Sequence, residues 1–456
     1  MVFAAYAGVT LWLTLHHEAW CNEADTWLLM RDGGVRVMLA NTANAGTPAL
    51  WYLCLAPFAS LGFPYLAQEL LNLAFIWSAA LLFLLFAPFR PLFKLLFLFS
   101  LFPAVEYAAQ ARPYALVVLL LFAIAVMWPE REHKPVRIAV AAALLANTTA
   151  HGLLFGAVLG ALFLGEAAVG RRLANGRTLA AIMIMLAGGI ASAGQLWQKP
   201  GGQLLALEHY IDPQTVPFAV GMSLFPDLYP RDSFAPALLV FLVVVLAIGW
   251  RRLVPMLFIV LSVVALLLLF SFVWMGGRYH AGLILVAVIV GLWMAGSDAL
   301  AERALLVALA WSVIIAGQEA VAETRWAHSG SKEMAAYIEK HVPASAVIAA
   351  HPPIHCESVL VYLPGRRFWC IVRGAYGSYV PWGAKVDREQ AVKLRDAVRM
   401  GKGHGWLLLV NEELSGADAD GLRLLYRTQR YVYARTSERF WLYAPAPPDE
   451  GHFTAE

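Results

Sequence analysis

Long apolar runs joined by short polar linkers constrain most strongly what this chain can fold into. A first run covers residues 2–15, and others lie near residues 66–87, 93–108, 113–128, 137–151, 152–169, 178–195, 234–250, 254–275, 281–296 and 304–320. Runs of this length are typical of membrane-spanning helices. Only 14% of the residues are charged, whereas about a quarter are charged in soluble globular proteins. The sequence therefore predicts a polytopic α-helical membrane protein with about eleven spans.

Two apolar segments near the start are shorter than a typical span. Residues 2–15 follow no basic residue and precede no convincing small-residue cleavage site, so we expect a retained spanning helix and not a signal peptide. Residues 48–61 are too short to cross and are expected to form an interfacial helix.

The basic residues predict the orientation of these spans. Linkers on one side hold Arg90, Lys94, Arg131, Lys134, Arg137, Arg171, Arg172, Arg177, Arg251, Arg252 and Arg303; the other side holds Arg31, Arg36, Arg112, Lys199, Arg231 and Arg278. Cytoplasmic loops carry the excess of lysine and arginine, so the first set is predicted to be cytoplasmic. Residues 16–32, 106–112, 196–233, 278–280 and those after about 321 are then outside. The net charge of +3 is too small to suggest a nucleic-acid partner.

The tail has a different composition from the apolar block. Predicted helices at residues 331–341 and 388–399 alternate with short apolar strands at 346–350, 368–372, 406–410, 431–434 and 440–443. Such alternation is typical of a small α/β domain. We therefore predict a membrane domain over residues 1–321, with a first outer loop at 16–48, and an extracytoplasmic α/β domain over 322–456.

The first outer loop contains the stretch HHEAWCNEADTWLLMRD, which is rich in acidic and amide groups. If it is helical from about Glu18 onward, Glu18, Asn22 and Asp25 fall on one face, because they occupy positions i, i+4 and i+7. One interpretation is a carboxylate cluster at the mouth of a membrane cavity, carried by an amphipathic helix in the interface. The other is a solvated helix whose acidic side chains serve only to keep its surface hydrated.

Two further polar clusters lie where apolar runs end. They comprise Glu106, Tyr107, Arg112 and Tyr114 in the first cluster, and Arg278, Tyr279 and His280 in the second. Ionisable groups at a bilayer boundary are costly unless they are paired or used, and the predicted topology places both clusters on the face of the acidic stretch. The planar guanidinium of arginine suits a lipid phosphate. The alternative for each arginine is snorkelling to the headgroups.

Histidines and cysteines give weaker signals. His151 ends a span on the predicted outer side, where it either caps the helix or contacts substrate. The set His351, His355, Cys356 and Glu357 resembles a group of zinc ligands, but Pro352 and Pro353 prevent one continuous helix that would place both histidines on one face. Zinc is therefore not favoured for that set. Cys356 and Cys370 either pair as a disulfide outside the cytoplasm or remain buried thiols.

Several motifs together resemble the membrane glycosyltransferases of the GT-C superfamily. They are the acidic stretch, GTPALWY at residues 46–52, VEY at 105–107 and RPY at 112–114. The most similar pattern is that of the protein mannosyltransferase and lipid A aminoarabinose transferase branch. The resemblance covers residues 1–150 by motif and the remainder only by layout. It implies a first outer loop with an Asp-Glu pair, an interfacial helix and a periplasmic domain after the last span.

The resemblance also implies an activity and a catalytic base. These enzymes transfer a sugar from a polyprenyl-phosphate carrier to an acceptor hydroxyl, with inversion at the anomeric carbon. The family's Asp-Glu pair is replaced here by Asn22-Glu23, and an amide cannot accept the proton. Either Glu23, Glu18 or Asp25 has that role, or the chain is an inactivated or non-catalytic relative.

A phosphate leaving group needs fixed positive charge where negative charge develops. Arg112 and Arg278 would supply it, with or without a divalent cation such as Mg²⁺ or Mn²⁺. Trp51, with neighbouring aromatic residues, is expected to stack on sugar or line the lipid groove, unless it belongs to an interfacial belt.

The expected partners are the lipid bilayer, a polyprenyl-phosphate-linked sugar and a glycan, lipid or protein acceptor. The expected location is a bacterial inner (cytoplasmic) membrane, crossed several times, with the active site and C-terminal domain on the periplasmic or extracellular side. A different class remains open, namely a transporter or flippase for a lipid-linked glycan. That class predicts inverted repeats and charges halfway along the spans.

Overall fold

The computed structural model describes residues 1–197, 212–249, 252–274, 276–381, 392–401 and 404–446, and most of them are helical. The helices that precede the C-terminal sheet are α1 (Val2–His16), α2 (Cys21–Leu28), α3 (Gly34–Ala45), α4 (Ala49–Ser60), α5 (Leu66–Phe86), α6 (Pro91–Leu98), α7 (Tyr114–Met127), α8 (Pro135–Ala146), α9 (Ala150–Val169), α10 (Gly176–Leu196), α11 (Thr215–Leu224), α12 (Pro230–Ile248), α13 (Leu253–Phe272), α14 (Arg278–Met294), α15 (Ala299–Arg325) and α16 (Ser331–His341). Two π-helical turns cover Leu29–Gly33 and Phe102–Glu106.

Within the described part of the chain, six helices are long and apolar enough to cross a membrane by length and composition. They are α5, α9, α10, α12, α13 and α15. Five other predicted apolar segments form shorter apolar helices, such as Val2–His16, Pro135–Ala146 and Arg278–Met294. A sixth short apolar helix, Thr215–Leu224, lies in the predicted outer loop 196–233 and was not predicted. A span requires about 20 apolar residues. The helices are thus compatible with a multi-pass membrane protein, and the count of about eleven spans stays a prediction.

The predicted apolar span at 93–108 is not one continuous helix, which corrects the prediction. α6 ends at Leu98, and the π-helical turn Phe102–Glu106 follows after a break. Pro103 contributes to the break because it has no backbone N–H and its ring crowds the preceding turn. Ser100 donates from Oγ to the carbonyl oxygen of Phe97 at 2.7 Å, which satisfies one carbonyl at the helix end. The irregular segment between α6 and α7 carries Glu106 and Arg112.

The chain forms two compact units. The first, called the helical unit, comprises Met1–His17, Met38–Phe58 and Leu66–Thr324. The second, called the α/β unit, comprises Glu18–Val37, Ala59–Tyr65 and Arg325–Glu456. The predicted boundary at 321/322 lies close to the one at Thr324. The acidic stretch, which was expected to belong to the membrane domain, groups from Glu18 onward with the C-terminal residues.

Aromatic side chains fill part of the interior of the helical unit. The ring centroid of Phe83 in α5 lies 4.7 Å from that of Phe97 in α6, 5.4 Å from that of Phe122 in α7 and 5.9 Å from that of Trp293 in α14. Such pairs contribute about 0.5–1.5 kcal/mol each beyond the burial of their area. This packing fixes the four helices that position the polar residues described below.

The α/β unit contains a six-stranded sheet. Its strands are β1 (Ile348–His351), β2 (Phe368–Cys370), β3 (Ala375–Gly377), β4 (Leu407–Val410), β5 (Leu422–Arg427) and β6 (Trp441–Pro445), in the order β3-β2-β1-β4-β6-β5. β1 pairs in parallel with β2 and β4, and the remaining pairs are antiparallel. The connections include helices α17 (Pro353–Leu360) and α18 (Leu394–Gly401). The predicted small α/β domain is confirmed.

Individual elements of this unit differ from prediction. The predicted strand at 431–434 is only an isolated bridge between Val432 and Ala327. The strands β3 and β5 were not predicted: β3 is three residues long, and a register shift between Leu424 and Tyr426 obscures the alternation in β5. The predicted helix at 388–399 is observed as α18, and residues 388–391 lie outside the described residues.

Candidate functional site

The irregular segment between α6 and α7 is held by a buried amide on α5. Nδ2 of Asn72 donates to three carbonyl oxygens, those of Tyr107, Ala108 and Gln110, at 2.9, 3.0 and 3.2 Å. Carbonyl groups of an irregular segment have no helical partners, and a buried carbonyl without a donor is costly. Asn72 therefore fixes the backbone on which Glu106 and Arg112 stand.

Arg278 at the start of α14 contacts three carboxylates of the helical unit. Its Nε lies 2.5 Å from Oε1 of Glu106, and its Nη1 lies 2.6 Å from Oε1 of Glu319 and 3.5 Å from Oδ1 of Asp227. The second oxygen of Glu106 accepts from Nε2 of Gln110 at 2.8 Å. Charge-assisted bonds of this length are among the stronger ones in proteins. Arg278 is therefore bound to carboxylates, and its predicted role of binding a lipid phosphate stays a prediction.

His280 and Tyr114 form a buried hydrogen-bonded pair beside Arg278. Nδ1 of His280 accepts from the backbone N–H of Gly277 at 2.8 Å, so in the neutral ring the proton is on Nε2. Nε2 then donates to the hydroxyl oxygen of Tyr114 at 2.6 Å. The hydroxyl proton of Tyr114 can therefore be donated to a different acceptor. His151 stacks on His280 with a centroid distance of 4.9 Å. It is buried, and neither of its ring nitrogens has a hydrogen-bond partner among the described residues.

Arg112 lies over two tyrosine rings of the same group. Its Cζ is 5.8 Å from the ring centroid of Tyr114 and 5.6 Å from that of Tyr279. Tyr107 donates from its hydroxyl to the carbonyl oxygen of Tyr279 at 2.9 Å, which ties α14 to the irregular segment. A guanidinium over an aromatic face keeps its charge and its in-plane donors while it is held in position.

We call these residues the polar cluster, and it combines predicted and unpredicted members. The predicted members are Glu106, Arg112, Tyr114, His151, Arg278, Tyr279 and His280, and the unpredicted ones are Asp227 and Glu319. Glu319 stands at the end of the apolar run 304–320, where an isolated acid is itself a signal. Trp51, also predicted, is buried in α4 with its ring 6.3 Å from that of Phe75. None of the contacts above involves it.

The predicted acidic helix starts later than expected and is buried within the α/β unit. α2 begins at Cys21, so Glu18 precedes it. Seven of its eight residues are buried, with Asn22 the half-buried exception. The helix packs against α17. The alternative of a solvated helix is therefore wrong for this segment, since Glu23 and Asp25 are buried, and the placement of the helix in the membrane interface stays a prediction.

The carboxylates of the acidic stretch are engaged inside the α/β unit. Glu18 accepts from Nη1 of Arg430 at 2.6 Å and from the backbone N–H of His328 at 2.7 Å. Glu23 accepts from the backbone N–H of Trp20 at 3.4 Å, which caps the start of α2. Asp25 is also buried. Of the predicted bases, Glu18 and Glu23 thus have structural contacts that sequence reasoning did not anticipate.

A small, half-open pocket lies between β1, β2 and α17 of the α/β unit. Its lining includes Glu357, Cys356, Cys370, Arg373 and Tyr379. Neither carboxylate oxygen of Glu357 has a partner at hydrogen-bonding distance among the described residues. Burial raises the pKa of Glu357 well above its usual range, and the carboxylates of Asp25 and Glu438 raise it further. The Val380 backbone and the Arg373 guanidinium lower it only in part.

We expect Glu357→Gln to make the stability of the α/β unit less dependent on pH. A carboxyl group whose pKa is higher in the folded chain binds more protons when folded, so stability falls as the pH rises above the unfolded pKa. Removing the group should reduce that fall by up to about 1.4 kcal/mol per pH unit. Melting temperatures between pH 5 and pH 8, measured with a chelator present, test this. The exposed Glu339→Gln is the control, and an unchanged profile for Glu357→Gln would contradict the assignment.

The histidines and cysteines of the α/β unit make other contacts, and the disulfide, one of the two alternatives for Cys356 and Cys370, is absent. Nε2 of His351 donates to the carbonyl oxygen of Val392 at 3.0 Å, and Sγ of Cys356 lies 3.8 Å from the carbonyl oxygen of Leu409. Within the described residues, His351, His355, Cys356 and Glu357 make no common ligand group. All four cysteines of the chain are described, and none is in a disulfide. Cys356 and Cys370 are buried thiols, which was the alternative left open.

Protein-family models and curated proteins were compared with the chain. No protein-family model matches the chain. No curated protein matches it either.

Proposed function

We propose that the chain is a multi-pass membrane transferase that acts on a polyprenyl-phosphate-linked sugar. The observation that carries the proposal is the polar cluster of the helical unit. It combines two arginines, three carboxylates and two stacked histidines, and it stands on helices of apolar composition. Ionisable residues in such surroundings are costly and are retained where they bind or move charge.

In this proposal the two arginines have different tasks. Arg278 holds Glu106 and Glu319 in place, because its guanidinium is bonded to both. Arg112, oriented by the Tyr114 and Tyr279 rings, binds the phosphate of the lipid carrier. As the bond between sugar and phosphate breaks, negative charge develops on the phosphate, and a fixed cation stabilises it without donating a proton. The Tyr114 hydroxyl, whose oxygen accepts from Nε2 of His280, can donate its own proton to the same oxygens.

The base that activates the acceptor hydroxyl is proposed to be a carboxylate of α2. Asn22 cannot accept a proton, and both oxygens of Glu18 already accept hydrogen bonds. Glu23, which accepts from the Trp20 backbone, and Asp25 are the carboxylates within α2 itself, and Asp25 lies three positions after Asn22, on the same side of the helix. The proposed location is the cytoplasmic membrane of a bacterium, with the polar cluster and the α/β unit on its outer side, as the distribution of basic residues favours.

The test is transfer of labelled sugar from a panel of polyprenyl-phosphate sugars in membranes that contain the full chain. We expect transfer by the parent and a loss of at least about 100-fold in either Glu23→Gln or Asp25→Asn, since general-base catalysis contributes about 10²–10⁴-fold. Glu18→Gln is the matched structural control in the same segment. Undiminished transfer in both Glu23→Gln and Asp25→Asn would remove the assigned base.

A transporter for a lipid-linked glycan is the second candidate. The buried carboxylates and histidines of the polar cluster favour it, because such groups also relay protons in transporters. In vesicles loaded with a labelled lipid-linked glycan, a transporter would move the lipid between leaflets without changing it chemically. A transferase would instead release the carrier with its phosphate still attached and yield a glycosylated acceptor.

A further inference from the structure

Three residues that are far apart in sequence meet within the α/β unit. Cys21 starts α2, His355 lies in α17, and Glu438 precedes β6. One ligand atom from each, the cysteine Sγ, a histidine ring nitrogen and a carboxylate oxygen, lies within 4.8 Å of the other two. Sequence reasoning did not combine them, because 417 positions separate Cys21 from Glu438.

The local hydrogen bonds hold this group in place while leaving donor atoms for a ligand. Glu438 accepts from the backbone N–H of Cys21 at 2.9 Å and from Oγ of Ser329 at 2.7 Å, and each carboxylate oxygen keeps a second lone pair. Nδ1 of His355 is buried and has no hydrogen-bond partner among the described residues. A buried ring nitrogen without a partner calls for an explanation, and a metal ion is one.

The surroundings favour a cation. Glu357 is 3% exposed, and neither of its oxygens has a hydrogen-bond partner in the described part of the chain. Its charge acts on the Cys21 thiol together with that of Glu438, and Asp25 lies close enough to act on Glu357. The nearby cations are Arg435, whose Cζ is 3.5 Å from the Trp20 ring, and Arg373. A divalent cation among these carboxylates would offset their mutual repulsion.

We infer that Cys21, His355 and Glu438 bind a zinc ion that attaches the start of α2 to the C-terminal part of the α/β unit. Thiolate, imidazole and carboxylate together are typical zinc ligands, whereas Mg²⁺ and Ca²⁺ prefer oxygen ligands alone. Zinc bonds of about 2.0–2.3 Å place ligand atoms roughly 3.3–3.8 Å apart, so small side-chain rotations close the site. Glu357 acts as an outer carboxylate. This inference does not depend on the proposed transferase function.

The test uses the purified full chain in detergent, stripped with a chelator and titrated with Zn²⁺ or Co²⁺. We expect one Zn²⁺ per chain and, with Co²⁺, the absorption band of a thiolate-to-cobalt charge transfer. Cys21→Ser, His355→Ala and Glu438→Gln should each weaken Zn²⁺ binding by about 100-fold or more, and Glu357→Gln by about 10–100-fold, as for outer-shell partners. Cys54→Ser and His341→Ala are controls of the same residue types and should leave binding unchanged.

A measurement on the parent chain guards against variants that fail to fold. Bound Zn²⁺ should slow the alkylation of Cys21, followed by mass spectrometry, and should leave that of Cys54 unchanged. An alkylation rate for Cys21 that is equal with and without Zn²⁺ would overturn the inference. A cobalt spectrum without the charge-transfer band, or with a band that survives in Cys21→Ser, would overturn it as well.

Discussion

Replacing Arg278 by alanine is expected to lower the free energy of unfolding by about 3–5 kcal/mol. The reason is that the guanidinium neutralises a carboxylate that cannot reach water. The side chain of Glu106 is 1% exposed and that of Glu319 is 16% exposed, and both are bonded to Arg278. Without the arginine, two negative charges stay in a poorly hydrated place close to each other. Breaking one side of such a pair costs far more than the net contribution of the intact pair.

The melting temperature and the denaturant midpoint in detergent measure this effect. Lys134→Ala is the matched control, because Lys134 and Glu130 form an i,i+4 pair with both side chains about half exposed, and such pairs contribute only about 0.3–0.5 kcal/mol. Arg278→Lys should recover part of the lost stability, because lysine keeps the positive charge but cannot donate to Glu106 and Glu319 with the planar geometry of a guanidinium. An Arg278→Ala protein as stable as Lys134→Ala would contradict the buried network.

Asn72→Ala is expected to cost about 2–4 kcal/mol, the second largest effect. The variant removes one donor from each of three carbonyl oxygens. Those of Ala108 and Gln110 keep a second donor, Oγ1 of Thr14 and the backbone N–H of Arg112. A buried carbonyl left without a partner, as expected at Tyr107, costs about 1–3 kcal/mol, and each other lost bond adds about 0.5–1.5 kcal/mol before the segment relaxes. Relaxation would move the segment that carries Glu106. We therefore expect Asn72→Ala to disturb the contacts of the polar cluster as well as to lower the free energy of unfolding.

Double-mutant measurements separate these two consequences. If Asn72 positions Glu106, then the stability losses of Asn72→Ala and Arg278→Ala should be non-additive by about 0.5–3 kcal/mol. Ser78→Ala in the same helix is the control, because its exposed hydroxyl only bonds to the carbonyl oxygen of Ala74, and it should cost less than about 0.5 kcal/mol. Strict additivity of the Asn72 and Arg278 variants would show that the amide acts on the backbone alone.

The apolar pattern predicted most helices, but not the segment whose backbone conformation depends on tertiary contacts. Residues 2–15 and 48–61 were predicted as helices and are found as Val2–His16 and Ala49–Ser60. The run at 93–108 was equally apolar, but Pro103 and the amide of Asn72 together stabilise an irregular backbone there. The hydropathy of a segment indicates whether it is buried. It does not indicate that a side-chain amide such as that of Asn72 will donate to the backbone carbonyls in place of helical N–H groups.

The polar cluster was predicted in part for a physical reason. Glu106 and Arg278 lie at the ends of apolar runs, and the predicted topology placed those ends on one face, where the two side chains are now found 2.5 Å apart. Glu319 and Asp227 were missed because one was counted as part of a span and the other as part of a long loop. The association of Cys21 with Glu438 was also beyond prediction, since nothing local marks a contact between the two ends of a chain.

The most direct measurement of the central claim is lipid binding to the purified chain, with a polyprenyl phosphate and the matching polyprenyl alcohol compared by native mass spectrometry. We expect the parent to bind the phosphate at least about tenfold more tightly than the alcohol, and Arg112→Ala to lose this preference while its affinity for the alcohol is unchanged. Arg131→Ala, which removes an arginine bonded to Glu166, should keep the preference. Equal binding of the two lipids by the parent chain would contradict the assignment of the polar cluster as a phosphate site.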